Sequence, residues 1–354
     1  MEKEFDTTDR IDIRGLERSE IEEKMTEWGE KKFRGSQIYQ WLWEKGARSF
    51  EEMTNLSKAL RQRLESEYGV YTIEEDKRQR SMDGTIKYRY KLSDGHLIES
   101  VLIPVPADNR YTVCVSSQVG CSLTCTFCAT GKMKRVRNLE PGEIYDQVVR
   151  VNEDCLQEYQ HPLTNIVYMG MGEPLLAYKN VLRSIDRITS PDGLGMSPRR
   201  ITISTAGIAK MIKKLADDAV RVNLALSLHA ADDDKRNQIM PINAQNNLEA
   251  LMEALDYYYA RTRNRLSFEY IAFQNFNDSE EDALLLARLC QRQFPVRVNI
   301  IEYNPVEGVK FSKSSEDSID TFARTLRNRG VMVTVRRSRG KDIDAACGQL
   351  ANKE

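Results

Sequence analysis

Histidine is scarce in this chain, with three in 354 residues. His96 sits in a turn and His161 precedes Pro162, and neither has a partner at metal-ligand spacing, so neither is assigned a metal. Long apolar runs are also missing. No stretch approaches the roughly 18 residues of a helical membrane span. There is no excess of one charge: 52 Lys and Arg against 53 Asp and Glu leave a formal charge of −1. The molecule therefore has no overall basic field, and any nucleic acid must be held by local patches. Internal repeats, low-complexity tracts and Ser/Gly linkers are lacking. The polar, acidic start Met1–Asp6 is unlike a secretory signal, so a cytosolic location is expected. There are seven cysteines, namely Cys114, Cys121, Cys125, Cys128, Cys155, Cys290 and Cys347. An odd number in a long chain argues against a disulfide framework and for thiol, metal or catalytic use.

What is present fits a soluble globular protein of one large or two moderate domains, with 41% hydrophobic and 30% charged residues. Three regions differ in pattern. Residues 1–70 read as a helical accessory domain. Ser19 with Glu22 matches a capping box, Ile38, Trp41 and Leu42 fall at helical spacing, and Phe50, Met53, Leu56 and Leu60 continue the stripe. Such a stripe is mostly core packing. Residues 71–110 switch to a two-residue period: Ile86, Tyr88, Tyr90 and Leu92 alternate with Lys87, Arg89 and Lys91. Asp83-Gly84 and Asp94-Gly95 supply turns, so this region reads as an antiparallel hairpin connector.

Residues 111–354 alternate short apolar runs with helical patterns. The expected strands are 111–116, 165–169, 200–204, 221–227, 266–272 and 297–302, with a late strand at 331–336. Six strand–helix units predict an α/β fold with a parallel sheet, a partial barrel. Functional residues should then cluster on loops at the strands' carboxyl ends.

The first such loop carries Cys121, Cys125 and Cys128. Thiolates are soft ligands that suit an iron–sulfur cluster or zinc. Three ligands on a four-iron cluster leave one iron open to a substrate, whereas a closed zinc site normally needs four. Cys114 is a poor fourth ligand because it lies within an apolar strand. The C-x3-C-x2-C spacing is the signature of radical S-adenosylmethionine (SAM) enzymes. Later strand ends carry Gly172-Glu173-Pro174, Ser204-Thr205, Ser227-Leu228-His229 and Tyr303-Asn304. Each is an ordinary cap or turn by itself. Repeated on successive strand ends, they fit the rim of one ligand site.

Cys114–Cys121, Met169–Pro174, Arg199–Thr205, Met240–Asn243 and Asp342–Leu350 resemble the RlmN-type RNA adenine-C2 methyltransferases. The resemblance implies a partial (β/α)6 radical SAM barrel with a [4Fe–4S] cluster on Cys121, Cys125 and Cys128. It implies SAM contacts from Gly172, Glu173, Ser204, Ser227, Leu228, His229 and Asn304. Cys347 would carry a methyl group, Cys114 would be its thiol partner through a transient disulfide bond, and Glu99 would accept a proton. The implied substrates are 23S ribosomal RNA and some transfer RNAs. An external one-electron donor such as flavodoxin or ferredoxin is expected, and a monomer. The alternatives are the related Cfr-type adenine-C8 methylation and, from another class, a non-catalytic zinc-dependent RNA-binding module.

Charge runs are more often solvated faces than binding patches. Three of them are nevertheless candidates for phosphate contacts: Lys132, Lys134, Arg135 and Arg137; Arg199 and Arg200; and Arg336, Arg337, Arg339 and Lys341. Trp41, Trp43, Phe33 and Arg34 could help hold RNA, although core packing is the better reading. Cys155 and Cys290 sit in helical patterns and read as packing thiols.

Overall fold

The computed structural model describes residues 10–353; the acidic start of the chain and Glu354 lie outside them. Helices α1 (Arg18–Glu27), α2 (Phe33–Trp43) and α3 (Lys58–Glu67) build the N-terminal unit. The expected cap at Ser19 is displaced. The helix starts earlier, at Glu17, whose backbone N–H donates to Glu20 at 2.6 Å. Ser19 already lies inside the first turn, past the position from which a side chain caps the helix. Glu22 is used between helices instead, accepting from Ser36 Oγ at 2.6 Å. The helices approach so closely there that a Cβ on Gly35 would meet the Glu22 backbone at 2.6 Å.

The apolar stripe is core: Ile21, Met25, Ile38, Leu42, Phe50, Met53, Leu56 and Leu60 are all buried. Phe50 and Met53 lie in and beside a short 3-10 turn rather than a continuous helix. Trp43 is also core, edge-on to Tyr145 at 5.1 Å. Truncating an aromatic of that kind costs about 3–5 kcal/mol. Phe33 stays exposed, with the Arg34 guanidinium 5.0 Å from its ring centre.

The hairpin forms as expected from β1 (Glu74–Arg80), β2 (Ile86–Lys91) and β3 (Leu97–Val105). It is not a separate layer. β3 pairs antiparallel with β4 (Arg110–Cys114), which starts the parallel set. That set continues through β5 (Asn165–Tyr168), β6 (Ile201–Thr205), β7 (Asn223–Ser227), β8 (Leu266–Ala272), β9 (Val296–Glu302) and β10 (Met332–Arg336). The result is one ten-stranded sheet in chain order. Parallel neighbours need a crossover, and helices supply it. They are α4 (Pro141–Tyr159), α5 (Tyr178–Thr189), α6 (Ala209–Asp217), α7 (Asp233–Ile239), α8 (Leu248–Thr262), α9 (Glu280–Leu289) and α10 (Glu316–Asn328).

This is the partial barrel expected of a radical SAM fold. A main core fills the sheet–helix space. A smaller cluster of Phe127, Ile239, Met240, Ile271, Phe273 and Tyr303 lies at the carboxyl ends of the central strands. That cluster is the floor on which the cysteine loop rests. Among the described residues no helix is long and apolar enough to cross a membrane.

Candidate active site

The cysteine loop is pinned at both ends. Gln118–Val119 and Arg137–Asn138 pair as a two-stranded ribbon that brackets it. Gly120 takes φ +72°, and a Cβ there would run into the Lys134 carbonyl oxygen. At Gly131 a Cβ would sit 2.8 Å from the Cys125 carbonyl oxygen. Only glycine allows so tight a loop at these two points. Inside it, the Leu123 amide donates to Cys121 Sγ at 3.4 Å. Phe127 points inward, edge-on to His229 at 4.9 Å and 5.6 Å from Phe273.

Burial pushes the Cys121 thiol up, to about 11, and raises Cys125 and Cys128 as well. The other two cysteines add to the rise at Cys125, so the three thiols share one electrostatic neighbourhood. Among the described residues, no three His, Cys, Asp or Glu side chains converge tightly enough for a single metal ion. Three soft, partly buried thiols on one constrained loop fit a multi-iron cluster, whose ligands spread over several metals.

The SAM-contact candidates line adjacent strand ends. Gly172 has φ +97°, and its missing Cβ would overlap the Gln118 side chain. Glu173 is buried after β5. Its Oε2 accepts from the Ala206 amide at 2.8 Å and its Oε1 from the Leu175 amide at 3.0 Å. Burial raises its pKa, and only neutral N–H and O–H groups oppose that rise. A buried carboxylate without a countercharge suits the ammonium of an amino acid ligand.

Ser204 on β6 and Ser227 on β7 face each other, Oγ to Oγ at 3.2 Å. Leu228 is fully buried beside them. His229 adopts φ +57°, and its Nδ1 accepts from the Ile271 amide at 3.1 Å. Burial, helped by Arg236, pulls its pKa down to about 3. The ring is thus neutral, and the accepting Nδ1 leaves the proton on Nε2. Asn304, beyond β9, donates to Ser338 Oγ at 2.9 Å.

Arg236 escaped the sequence reading because a lone arginine in a helical pattern carries no signal. It is fully buried and ties the site together. Its guanidinium donates to Ala206 O and Asn243 Oδ1 at 2.6 Å, Leu228 O at 3.0 Å and Ser227 O at 3.2 Å. Burial lowers its pKa to about 10, which leaves it charged at neutral pH. Glu302 was also passed over, because a single carboxylate at the end of an apolar strand gives no hint of its partners. Lys341, at 2.6 Å, and Arg337, at 2.9 Å, hold its carboxylate at about 2 against the opposing effect of burial.

The tail brings the two distant cysteines to this site. The Ala129 amide donates to Gly348 O at 2.8 Å and Thr130 Oγ1 to Leu350 O at 2.6 Å. Cys347 is thereby attached to the cysteine loop one residue past Cys128. Its side chain is accessible, yet burial still raises its thiol pKa. Arg336, Glu269 and Cys128 also act on it. Cys114, at the end of β4, is buried, and its thiol is held well above the usual range by burial and then by Cys347.

The expected disulfide bond between these two is not formed: all seven cysteines are free. Burial favours the neutral thiol at both positions, and a neutral thiol is a poor partner in disulfide exchange. Glu99 is also brought to the tail, but its oxygens are taken. Oε2 accepts from the Ala351 amide at 2.8 Å and the Asn352 amide at 3.1 Å, and Lys87 lies 3.5 Å from Oε1.

The basic runs separate on inspection. Arg137 is a structural clamp, bound to Asp94 at 2.6 Å and Glu143 at 2.7 Å. Arg199 and Arg200 are exposed but precede β6, at the end of the sheet away from the site. Arg337 and Lys341 are engaged with Glu302. Lys134 and Arg135 are exposed beside the cysteine loop.

Two family models match the chain. Residues 11–70 match the ribosomal RNA large subunit methyltransferase N-terminal domain, and residues 115–287 match the radical SAM superfamily. A probable dual-specificity RNA methyltransferase RlmN of Christiangramia forsetii is 53% identical, covering 97% of this chain and 96% of the relative. The chain belongs to the RlmN family of radical SAM RNA methyltransferases. A second probable dual-specificity RNA methyltransferase RlmN, of Cytophaga hutchinsonii, is 55% identical over 97% of this chain and 93% of its own length. The crystal structure of a radical SAM methyltransferase from Sphaerobacter thermophilus superposes with a TM-score of 0.90 at 39% identity, covering 97% of this chain and all of that one. Membership in this family makes the chain an enzyme and removes the reading as a non-catalytic zinc module.

Proposed function

We propose that this enzyme methylates C2 of an adenine in 23S ribosomal RNA and in some transfer RNAs, with Cys347 as the carrier of the methyl group. The observation that carries the reading is the attachment of the Cys347 tail to the cysteine loop through the Ala129 and Thr130 hydrogen bonds. A storage residue has to stand beside the centre that activates it.

C2 lies between two ring nitrogens and is too electron-poor to attack the methyl of SAM directly, so positioning alone leaves a high barrier. A [4Fe–4S] cluster on Cys121, Cys125 and Cys128, together with SAM, supplies one-electron chemistry that makes a carbon-centred reagent. The chain's own groups do the rest. Glu173, Ser204, Ser227, Leu228, His229 and Asn304, with Gly172 allowing close approach, hold and orient SAM. Neutral His229 offers an Nε2–H donor and adds no charge beside a cationic ligand. The Cys347 thiol, which burial keeps protonated at rest, gives up its proton as its sulfur takes a methyl group from SAM, S-adenosylhomocysteine leaves, and the tail carries the methyl to the base. Cys114 presents a second thiol close enough for Cys347 to act on it electrostatically.

Lys134 and Arg135 are suited to phosphate contacts, and the target adenine must leave its stack to reach Cys347. A cytosolic setting and an external one-electron donor follow from such a reaction. The test is anaerobic reconstitution with iron, sulfide, SAM and RNA, followed by nucleoside analysis. The expected product is 2-methyladenosine. Methylation at C8, or product formed at the normal rate by a Cys347→Ala enzyme, would refute the reading.

A further inference from the structure

Glu302 closes β9 on the same rim as Asn304, and nothing in the reaction described so far uses it. It is buried, and three cations surround it. Lys341 Nζ lies 2.6 Å from Oε2, Arg337 Nη1 2.9 Å from Oε1 and Lys313 Nζ 3.4 Å from Oε1. Arg337 and Lys341 follow β10. Lys313 comes from the loop between β9 and α10, where its backbone bridges to Phe273 just past β8. Two loops at the carboxyl ends of neighbouring strands thus send their cations to one point.

One carboxylate cannot balance three positive charges. Glu316, 3.3 Å from Arg337, adds a second anion, but it is exposed to screening solvent, and three cations against two carboxylates still leave one positive charge over. Unlike Glu302 beneath them, Lys313, Arg337 and Lys341 are exposed. The Arg337–Lys341 segment is also held in place. The Gly340 amide donates to Asp83 Oδ2 at 2.9 Å and Ser81 Oγ to Asp342 Oδ1 at 2.5 Å, which pins it to the first hairpin turn. Like charges fixed this close repel one another, and an incoming anion relieves that repulsion without having to order the array.

Exposure indicates the kind of anion. Glu173, His229 and Asn304, proposed to hold SAM, are buried. A cation array on the open rim faces a larger molecule. Arg337 supplies a planar fork and the lysines point charges, a donor set suited to phosphate. Asn304 Nδ2 donates to Ser338 Oγ at 2.9 Å, so the array stands next to the proposed SAM site.

We propose that Lys313, Arg337 and Lys341 form a phosphate site for the RNA backbone, with Glu302 as the positioning residue that gathers them. The inference rests on the reading of RNA as the substrate of this rim.

The test is binding of a fluorescent RNA stem-loop with an unpaired adenine to the full-length, cluster-loaded enzyme, read by anaerobic anisotropy between about 50 and 200 mM KCl. Lys313→Ala leaves Glu302 held by Lys341 and Arg337, so it should match wild type in thermal unfolding and in SAM binding by equilibrium dialysis. It should lower the log–log salt slope by about 0.7–0.9, the value of one phosphate contact. The double variant Lys313→Ala/Arg337→Ala should lower it by about twice that. Arg200→Ala, at the opposite end of the sheet, should leave it unchanged. Glu302→Gln tests the gathering role. It adds one positive charge to the rim, so net charge alone predicts tighter binding. Dispersal of the three cations predicts weaker binding, which is the expected result.

An unchanged slope in Lys313→Ala and in the double variant would overturn the phosphate site, whether or not the Glu302 variant folds. So would loss of SAM binding in Lys313→Ala with RNA binding intact, because the array would then serve the SAM carboxylate. Tighter RNA binding by Glu302→Gln would overturn the gathering role. A wild-type affinity that ignores salt would sink the RNA reading of the rim itself, a failure visible before any variant is made.

Discussion

Arg236→Met is the substitution whose effect the structure defines best. The side chain is fully buried and makes four hydrogen bonds to groups at the ends of β6 and β7 and after α7. Methionine fills much of the same volume but donates nothing. Leu228 O keeps a second donor, the Ala230 amide at 2.8 Å. Ser227 O has the longest of the four bonds, at 3.2 Å. The losses that count are therefore at Ala206 O and Asn243 Oδ1, both at 2.6 Å. Orphaning a buried acceptor costs about 1–3 kcal/mol, so two give roughly 2–6 kcal/mol. The variant no longer has to bury a charge, which offsets part of this. A net loss of about 2–4 kcal/mol remains. Urea unfolding of the chain without cluster or SAM measures it as a shift in midpoint at constant slope. Arg236→Lys should recover little, since an ammonium cannot reproduce the planar fork. A loss below about 0.5 kcal/mol, the range of inert surface changes, would show that Arg236 does not brace the strand ends.

Two further outcomes follow from the residues proposed to contact SAM. Gly172→Ala puts a side chain at φ +97° with its Cβ 2.5 Å from Gln118 Cβ, which should cost about 1–3 kcal/mol of stability and weaken SAM binding, measured by equilibrium dialysis. Wild-type stability and affinity together would contradict the close approach assigned to that turn. His229 is neutral in the fold down to about pH 3, whereas the unfolded chain takes up its proton near 6.5. The unfolded state therefore binds more protons in that window, so the His229 contribution to stability declines as pH falls from 6.5 toward 3. His229→Asn, which does not titrate and tolerates positive φ, should lack this decline. Parallel pH–stability curves for the two proteins would refute the buried, neutral assignment.

The elements that the sequence reading placed correctly are those whose signals are local. The alternation around Tyr88 and Tyr90, the apolar run at Leu266–Ala272 and the glycine turns at Gly84 and Gly95 depend on neighbours a few residues away. The spacing of Cys121, Cys125 and Cys128 is equally local, so a single loop carrying all three thiols could be read directly. The cap at Glu17 was misplaced because two overlapping Glu and Ser patterns compete within one turn, and only the actual start of the helix chooses between them.

The deeper limit concerns buried polar groups. Lys87 falls on an exposed position of the two-residue pattern, yet it is buried, because Glu99 and the tail lie across it. Glu99 receives its donors from 252 and 253 residues away, and Arg236 reaches back 30 residues to Ala206. A buried charge must find a partner, but nothing in its own neighbourhood of the chain says which one. The sequence by itself determined the sheet, the helices and the cysteine loop, because hydrophobic period and ligand spacing are short-range properties. Tertiary structure alone decided that Cys347 docks at that loop, that Cys114 and Cys347 stay as free thiols, and that Glu99 meets the tail. Those facts arise where distant segments exclude water together and have only each other to satisfy their hydrogen bonds.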